Sequence, residues 1–192
     1  MVSYIRCVEG ENVSILKAID PAVTTGKTKQ LFDALQQKLG MVPNLTKVLA
    51  NSPAALNAYL GFSGALSEGK LSAKTREQIA VAVANINTCD YCLSAHNALG
   101  KLAGLGADDL SLAQSAEAHD PKTAAALRFA AKVVRERGIL PVSEVESLRA
   151  AGYSDGEIVE IVAAVALNIF TNYFNHIAGT EIDFPLVKTA AR

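Results

Sequence analysis

The chain has 192 residues, half of them apolar and 19% charged, which is enough to bury one core and far from the composition of a disordered segment. Lys and Arg number 18 against 19 Asp and Glu, a net charge of −1, so the basic surplus needed to neutralise a phosphate backbone is missing. Nucleic acid is thereby excluded as a main partner.

Alanine, the best helix former, occurs 32 times, and alternating strand patterns bounded by turns are hard to find. An all-α fold follows. Residues 1–20 are the least patterned and read as an N-terminal arm; no linker divides residues 21–192, which read as one helical domain. Residues 1–16 carry no apolar run of the secretory type, so a cytoplasmic setting is expected. Leu31, Leu35 and Leu39 repeat at helical spacing and place a helix over 26–39, stopped by Gly40 and Pro43. Pro43 opens a short helix to about residue 50, and Pro53 another to near residue 69. Ser72 caps a helix over 74–86, whose stretch 79–84 is apolar all round and belongs at the centre. Helices over 89–102 and 107–115 follow. Next comes an amphipathic helix with Leu127, Ala130, Ala131 and Val134 opposite Arg128, Lys132 and Arg135, closed by Gly138.

Ser143 is the next cap, and Ser154 with Glu157 forms a capping box for a last helix to about residue 177. Residues 161–180 carry no charged side chain and approach the length that spans a bilayer. Asn168, Asn172, Asn175 and His176 would each need a partner in hydrocarbon, so no membrane span is expected. The stretch reads as a buried helix whose second half lines something polar. His176 belongs either to a buried hydrogen-bonded seam or to one wall of a site. Leu45, Leu49, Leu56 and Leu60 fit either a monomer core or a subunit contact. An offset of 80 residues lays Glu77 on Glu157 and His96 on His176, a weak repeat that suggests a duplicated helix hairpin.

The chemistry gathers between Glu77 and His96. Cys89 and Cys92 are three apart and His96 is four beyond Cys92, so on one helix the three share a face. Cα atoms at that spacing lie about 5 Å apart, within disulfide range, so the pair can cycle between dithiol and disulfide without unfolding. Thr88 as N-cap would set both thiols in the first turn, where free N–H groups favour thiolate; Asp90 opposes this and calls for a compensating donor. Glu77 is the candidate base. Twelve residues along a straight helix would strand it about 18 Å from Cys89, whereas a bend near 85–88 brings it level with His96. Two other readings remain open: cysteines that are merely small buried hydrophobes, and a structural zinc site using Cys89, Cys92, His96 and a fourth ligand such as His176 or His119. His119, before Asp120 and Pro121, reads as a surface-loop histidine, and Cys7 as a bystander in the arm.

Glu77, Cys89, Cys92 and His96, with spacings of eleven, two and three residues between them, resemble the alkyl hydroperoxidase D core of the carboxymuconolactone decarboxylase family. The likeness is specific over about 70–105 and looser over 20–185, where Asn-His and Asp-Phe-Pro between Asn172 and Pro185 are similar to its peroxidase-related members. It implies an all-α homo-oligomer that reduces a hydroperoxide without cofactor or metal. By the same resemblance Cys92 attacks the peroxide, Cys89 resolves the sulfenic acid, and Glu77 takes the thiol proton with His96 in the relay. An external dithiol, a lipoyl group or a thioredoxin-like protein, then reduces the disulfide at Cys89. Tyr91 departs from the pattern, since the best-known members carry histidine there. The decarboxylase branch shares the fold, acts on a cyclic lactone acid and does not depend on a cysteine pair.

Overall fold

The computed structural model describes residues 14–190. Residues 1–13 and 191–192, including Cys7 and most of the expected arm, lie outside the described residues. Among the described residues there is no strand, and the helices are α1 (Gly26–Leu39), α2 (Asn44–Leu49), α3 (Pro53–Ser67), α4 (Ala73–Ile86), α5 (Asp90–Leu102), α6 (Ala107–Gln114), α7 (Pro121–Arg135), α8 (Val142–Ala150) and α9 (Asp155–Ala178).

Most helix ends follow local chemistry. The Ser72 hydroxyl accepts from the Thr75 N–H and starts α4, and Asp120 with Pro121 starts α7 in the same manner. Ser154 and Glu157 form the expected reciprocal box at α9. Gly40 and Gly179 close α1 and α9 with positive φ, 75° and 58°, which glycine adopts without a Cβ clash. Two expectations fail here. Pro141, not Ser143, takes the cap position of α8 in an extended conformation with no side-chain cap, and Ser143 lies inside the first turn, where its carbonyl accepts from the Ser147 hydroxyl. Thr88 does not cap α5; it sits at φ 54° in the bend, and Cys89 occupies the cap position instead.

Helix α4 forms the centre, packed against α5, α6, α7 and α9. Ile79, Val81, Ala82, Val83 and Ala84 are wholly buried, as an all-apolar segment requires. Burial of each Val or Ile side chain contributes about 1.5–3 kcal/mol, which anchors the one helix that also carries Glu77. Leu45, Leu49 and Leu56 are buried in the same core and Leu60 packs against it, so these leucines serve the monomer. On α7, Leu127 and Ala130 face inward while Arg128 and Lys132 pair outside with Glu117 and Glu144.

The offset repeat does not correspond to a repeated hairpin. Residues 157–178 lie on the single continuous helix α9, and the positions equivalent to the α4–α5 bend fall in its middle. By length and composition α9 could cross a bilayer, yet one whole side of it packs on the core, with Asn168, Asn172 and Asn175 buried there.

After α9 the chain continues as an irregular strap over α2 and α5. Asp183 Oδ2 accepts from the Asn44 N–H at 2.7 Å, the Val187 N–H donates to Ser94 Oγ at 2.9 Å, and the Ala190 N–H donates to Asn85 Oδ1 at 3.1 Å. Asp90 Oδ1 accepts from both the backbone N–H and the hydroxyl of Thr189 at 2.8 Å. Those contacts bring Phe184 to the mouth of the candidate site.

Candidate active site

Three helices supply the site. The chain reverses at 87–89, with the Cys89 N–H donating to the Ala84 carbonyl at 3.0 Å, so α5 runs back along α4. The reversal brings His96 Nδ1 to 2.8 Å from Glu77 Oε2, with both side chains 22% exposed. The level pairing expected from the bend is therefore a direct hydrogen bond. Cys92 stands one turn before His96 on the same face, as the spacing requires.

Both thiols are buried, free and only 2% exposed. Cys89 Sγ accepts from the Cys92 N–H at 3.4 Å and so acts as the cap of α5. Burial alone pushes the Cys92 thiol up. The Cys89 thiol donating to it, the positive charge of His96, and the amides of Asn175 and Asn172 more than offset this and bring it down to about 7. Cys89 moves the opposite way, raised by its hydrogen bond to Cys92, by burial and by the Cys92 charge. The two sulfurs are thus unequal: Cys92 forms thiolate first while Cys89 keeps its proton. For His96, burial disfavours the cation, but the Glu77 charge and hydrogen bond outweigh it, so its pKa is raised.

The residues that spacing alone could not find come from α9. Asn175 Nδ2 donates to Cys92 Sγ at 3.1 Å. Asn172 Oδ1 accepts from Asn87 Nδ2 at 2.9 Å, which holds the bend, while its own Nδ2 is buried without a full hydrogen bond on the Cys92 side. The polar stripe read along α9 is real, but it turns inward at Asn175 rather than at His176. His176 is exposed and its Nε2 meets the Asn87 carbonyl at 2.9 Å, so it braces the bend from outside. His119 is exposed and paired with Asp108 at 2.6 Å. Neither histidine joins the cysteines, and among the described residues no cluster of three metal-type ligands forms. Asp90, whose charge threatened the thiolate, is turned to Thr189 in the strap.

Tyr91 is 4% exposed and has a packing role. Its hydroxyl accepts from the Leu45 N–H at 3.0 Å, and its ring meets Phe184 edge-on with centroids 5.9 Å apart. The residue therefore ties α5 to α2 and the strap. Above Cys92 opens a cleft of about 470 Å³, with Glu77 and His96 on its floor and Leu31, Leu35, Tyr59, Leu60 and Phe184 among its walls. Helix α1 thus lays its leucine face over the sulfur. Lys38 and Arg76 also reach the cleft, Arg76 with its guanidinium bonded to the Leu71 carbonyl.

An all-helical fold with a buried dithiol beside a Glu–His pair defines the class. Residues 53–132 match the model of the Carboxymuconolactone decarboxylase family. A peroxidase-related protein of Ralstonia eutropha JMP134, with an alkylhydroperoxidase AhpD core, superposes with a TM-score of 0.83 at 26% identity, over 91% of this chain and 94% of that one. A peroxidase-related protein of Silicibacter sp. TM1040 gives 0.79 at 28% identity, over 92% and 95%. The stretch 53–132 is thus similar to the Carboxymuconolactone decarboxylase family, and the chain shares its all-helical fold with these alkylhydroperoxidase AhpD-like, peroxidase-related proteins. The debrominase Bmp8, solved with 2,3,4-tribromopyrrole, shares the fold, with a TM-score of 0.76 at 19% identity over 89% of this chain and 92% of that one. A curated protein of Haemophilus influenzae is 51% identical over 45 residues, 23% of this chain, and that match spans 40% of the relative's length.

Proposed function

We propose that the protein is a thiol peroxidase in which Cys92 reduces a hydroperoxide and the Cys89–Cys92 pair carries the two electrons. The observation that supports this most is the convergence on one sulfur of His96, Asn175 and Asn172, together with the proton of Cys89. A sulfur that only filled space would not draw three polar groups out of solvent.

In the first step the Cys92 thiolate attacks one peroxide oxygen, the O–O bond breaks, and the departing alkoxide takes a proton from the His96–Glu77 pair. The products are Cys92 sulfenic acid and an alcohol. The Cys89 sulfur then displaces hydroxide from Cys92, losing its own proton to it, which yields the disulfide and water. A dithiol donor, a lipoyl group or a thioredoxin-like protein, reduces that disulfide and is itself oxidised to one. A reducing cytoplasmic setting keeps such a pair free between turnovers. Lys38 and Arg76 at the cleft favour one second reading, action on a carboxylate-bearing cyclic lactone as in the decarboxylase branch.

Peroxide turnover with a dithiol donor, compared between wild type and Cys92→Ser, tests the proposal. Turnover abolished in the variant is expected. Activity on peroxide that survives the change refutes the thiol mechanism, and lactone decarboxylation that survives loss of both cysteines supports the second reading.

A further inference from the structure

Helix α9 is apolar on both sides. Its inner side builds the wall behind Cys92, so its outer side should be polar, as on any helix that lies between a core and water. The opposite holds. Val159, Val162, Phe170, Tyr173 and Ile177 are 67, 42, 43, 53 and 70% exposed, and with Ala163 and Ala166 they form one uncharged stripe along the helix. Val159, Ala163, Ala166, Phe170, Tyr173 and Ile177 follow one another at spacings of four and three residues in turn, with Val162 flanking them, and this is the period a helix uses to bury a seam against another helix running along it.

We infer that this stripe is the contact surface for α9 of a second copy of the chain, the two helices running antiparallel about a two-fold axis near position 168. The sizes along the stripe are unequal. Small Ala163 and Ala166 stand in the first half, bulky Phe170 and Tyr173 in the second. Reversal about position 168 sets Phe170 over the partner's Ala166, Tyr173 near the partner's Ala163, and Ile177 over the partner's Val159, so each ring meets an alanine and the two aliphatic side chains close the ends of the seam. A parallel pair would stack ring on ring and leave the alanines facing a gap. A two-fold contact needs one patch that complements itself, and this stripe does.

The exposed side chains offer roughly 600 Å² on each protomer, about 1,200 Å² for the pair, which lies in the range of specific interfaces. A lipid surface fits less well, because α9 contains no Lys or Arg and its first turn is acidic, with Asp155 and Glu157, whereas helices that lie on membranes present basic residues beside the apolar face. The contact also holds the helix that positions Asn172 and Asn175, on its opposite side.

Sedimentation of the full chain at micromolar concentration tests this independently of peroxidase activity. Wild type is expected as an assembly of at least two chains, and Ala166→Lys and Phe170→Glu, both on exposed positions, are each expected to halve its mass with the helical circular dichroism unchanged. Mixing the two variants should restore pairing, because antiparallel register sets the new cation of one chain against the new anion of the other. A monomeric wild type overturns the inference, as does mass unaffected by either substitution, failure of the mixture to pair, or recovery of wild type on vesicles of phosphatidylcholine and phosphatidylserine in place of self-association.

Discussion

Asn175 on α9 donates its side-chain N–H to the sulfur of Cys92 on α5, at 3.1 Å and across 83 positions of sequence. A neutral amide at that point favours the thiolate without adding a charge to a buried site, where a second cation would itself need a partner.

Asn175→Ala should raise the Cys92 thiol above its value of about 7. A hydrogen bond to a charged group is worth about 1.5–3 kcal/mol, so the rise is expected to be one to two pH units. Ultraviolet absorbance of the thiolate against pH measures it directly. An unchanged titration would mean that Asn175 only fills space.

Glu77→Gln removes the charge that keeps the His96 pKa raised. Thiolate accumulates as pH rises through about 7, while the imidazolium that supplies the proton is lost as pH rises through its own raised value, so the wild-type rate against pH is bell-shaped. In the variant the alkaline limb should move to lower pH and the peak rate fall by about 10²–10⁴, the usual worth of a positioned acid or base. The same linkage reaches stability: the Glu77–His96 contribution is complete below the ordinary imidazole value of 6.5 and disappears as pH rises through the raised one. Thermal unfolding of wild type and variant should therefore converge at alkaline pH.

Cys89→Ala deletes the thiol that donates to Cys92 and caps α5. Cys92 should titrate higher than in wild type, one equivalent of peroxide should still be consumed, and the sulfenic acid should persist because nothing resolves it. Trapping with dimedone, read by mass spectrometry, distinguishes this from a variant that never reacts.

Tyr91→Phe should leave the buried Leu45 N–H without its acceptor, at a cost of about 1–3 kcal/mol in denaturant unfolding. The Cys92 titration should barely move, since the ring and its contact with Phe184 remain. A large shift of the thiol with little loss of stability would instead give Tyr91 a part in the relay.

What local sequence could specify, it specified well. Side-chain caps act within three residues, so Ser72 and the Ser154–Glu157 box mark the starts of α4 and α9 without reference to the rest of the chain. The apolar run of α4 could only be buried, and spacing placed Cys92 and His96 on one face, with Glu77 level with His96 once the chain bends near 85–88. Thr88 misled because a cysteine sulfur can also cap, and which of two neighbours does so depends on how the bend closes.

Tertiary structure decided the rest. That Asn175 and not His176 reaches the sulfur depends on the rotation of α9 about its axis, set by packing against α4 and α5 rather than by its own residues. The strap that occupies Asp90, and the laying of α1 over Cys92 to make a cleft, join segments far apart in the chain. Periodicity is a property of one helix, whereas the polarity around a sulfur is a sum over every helix that approaches it; only the packed molecule contains that sum.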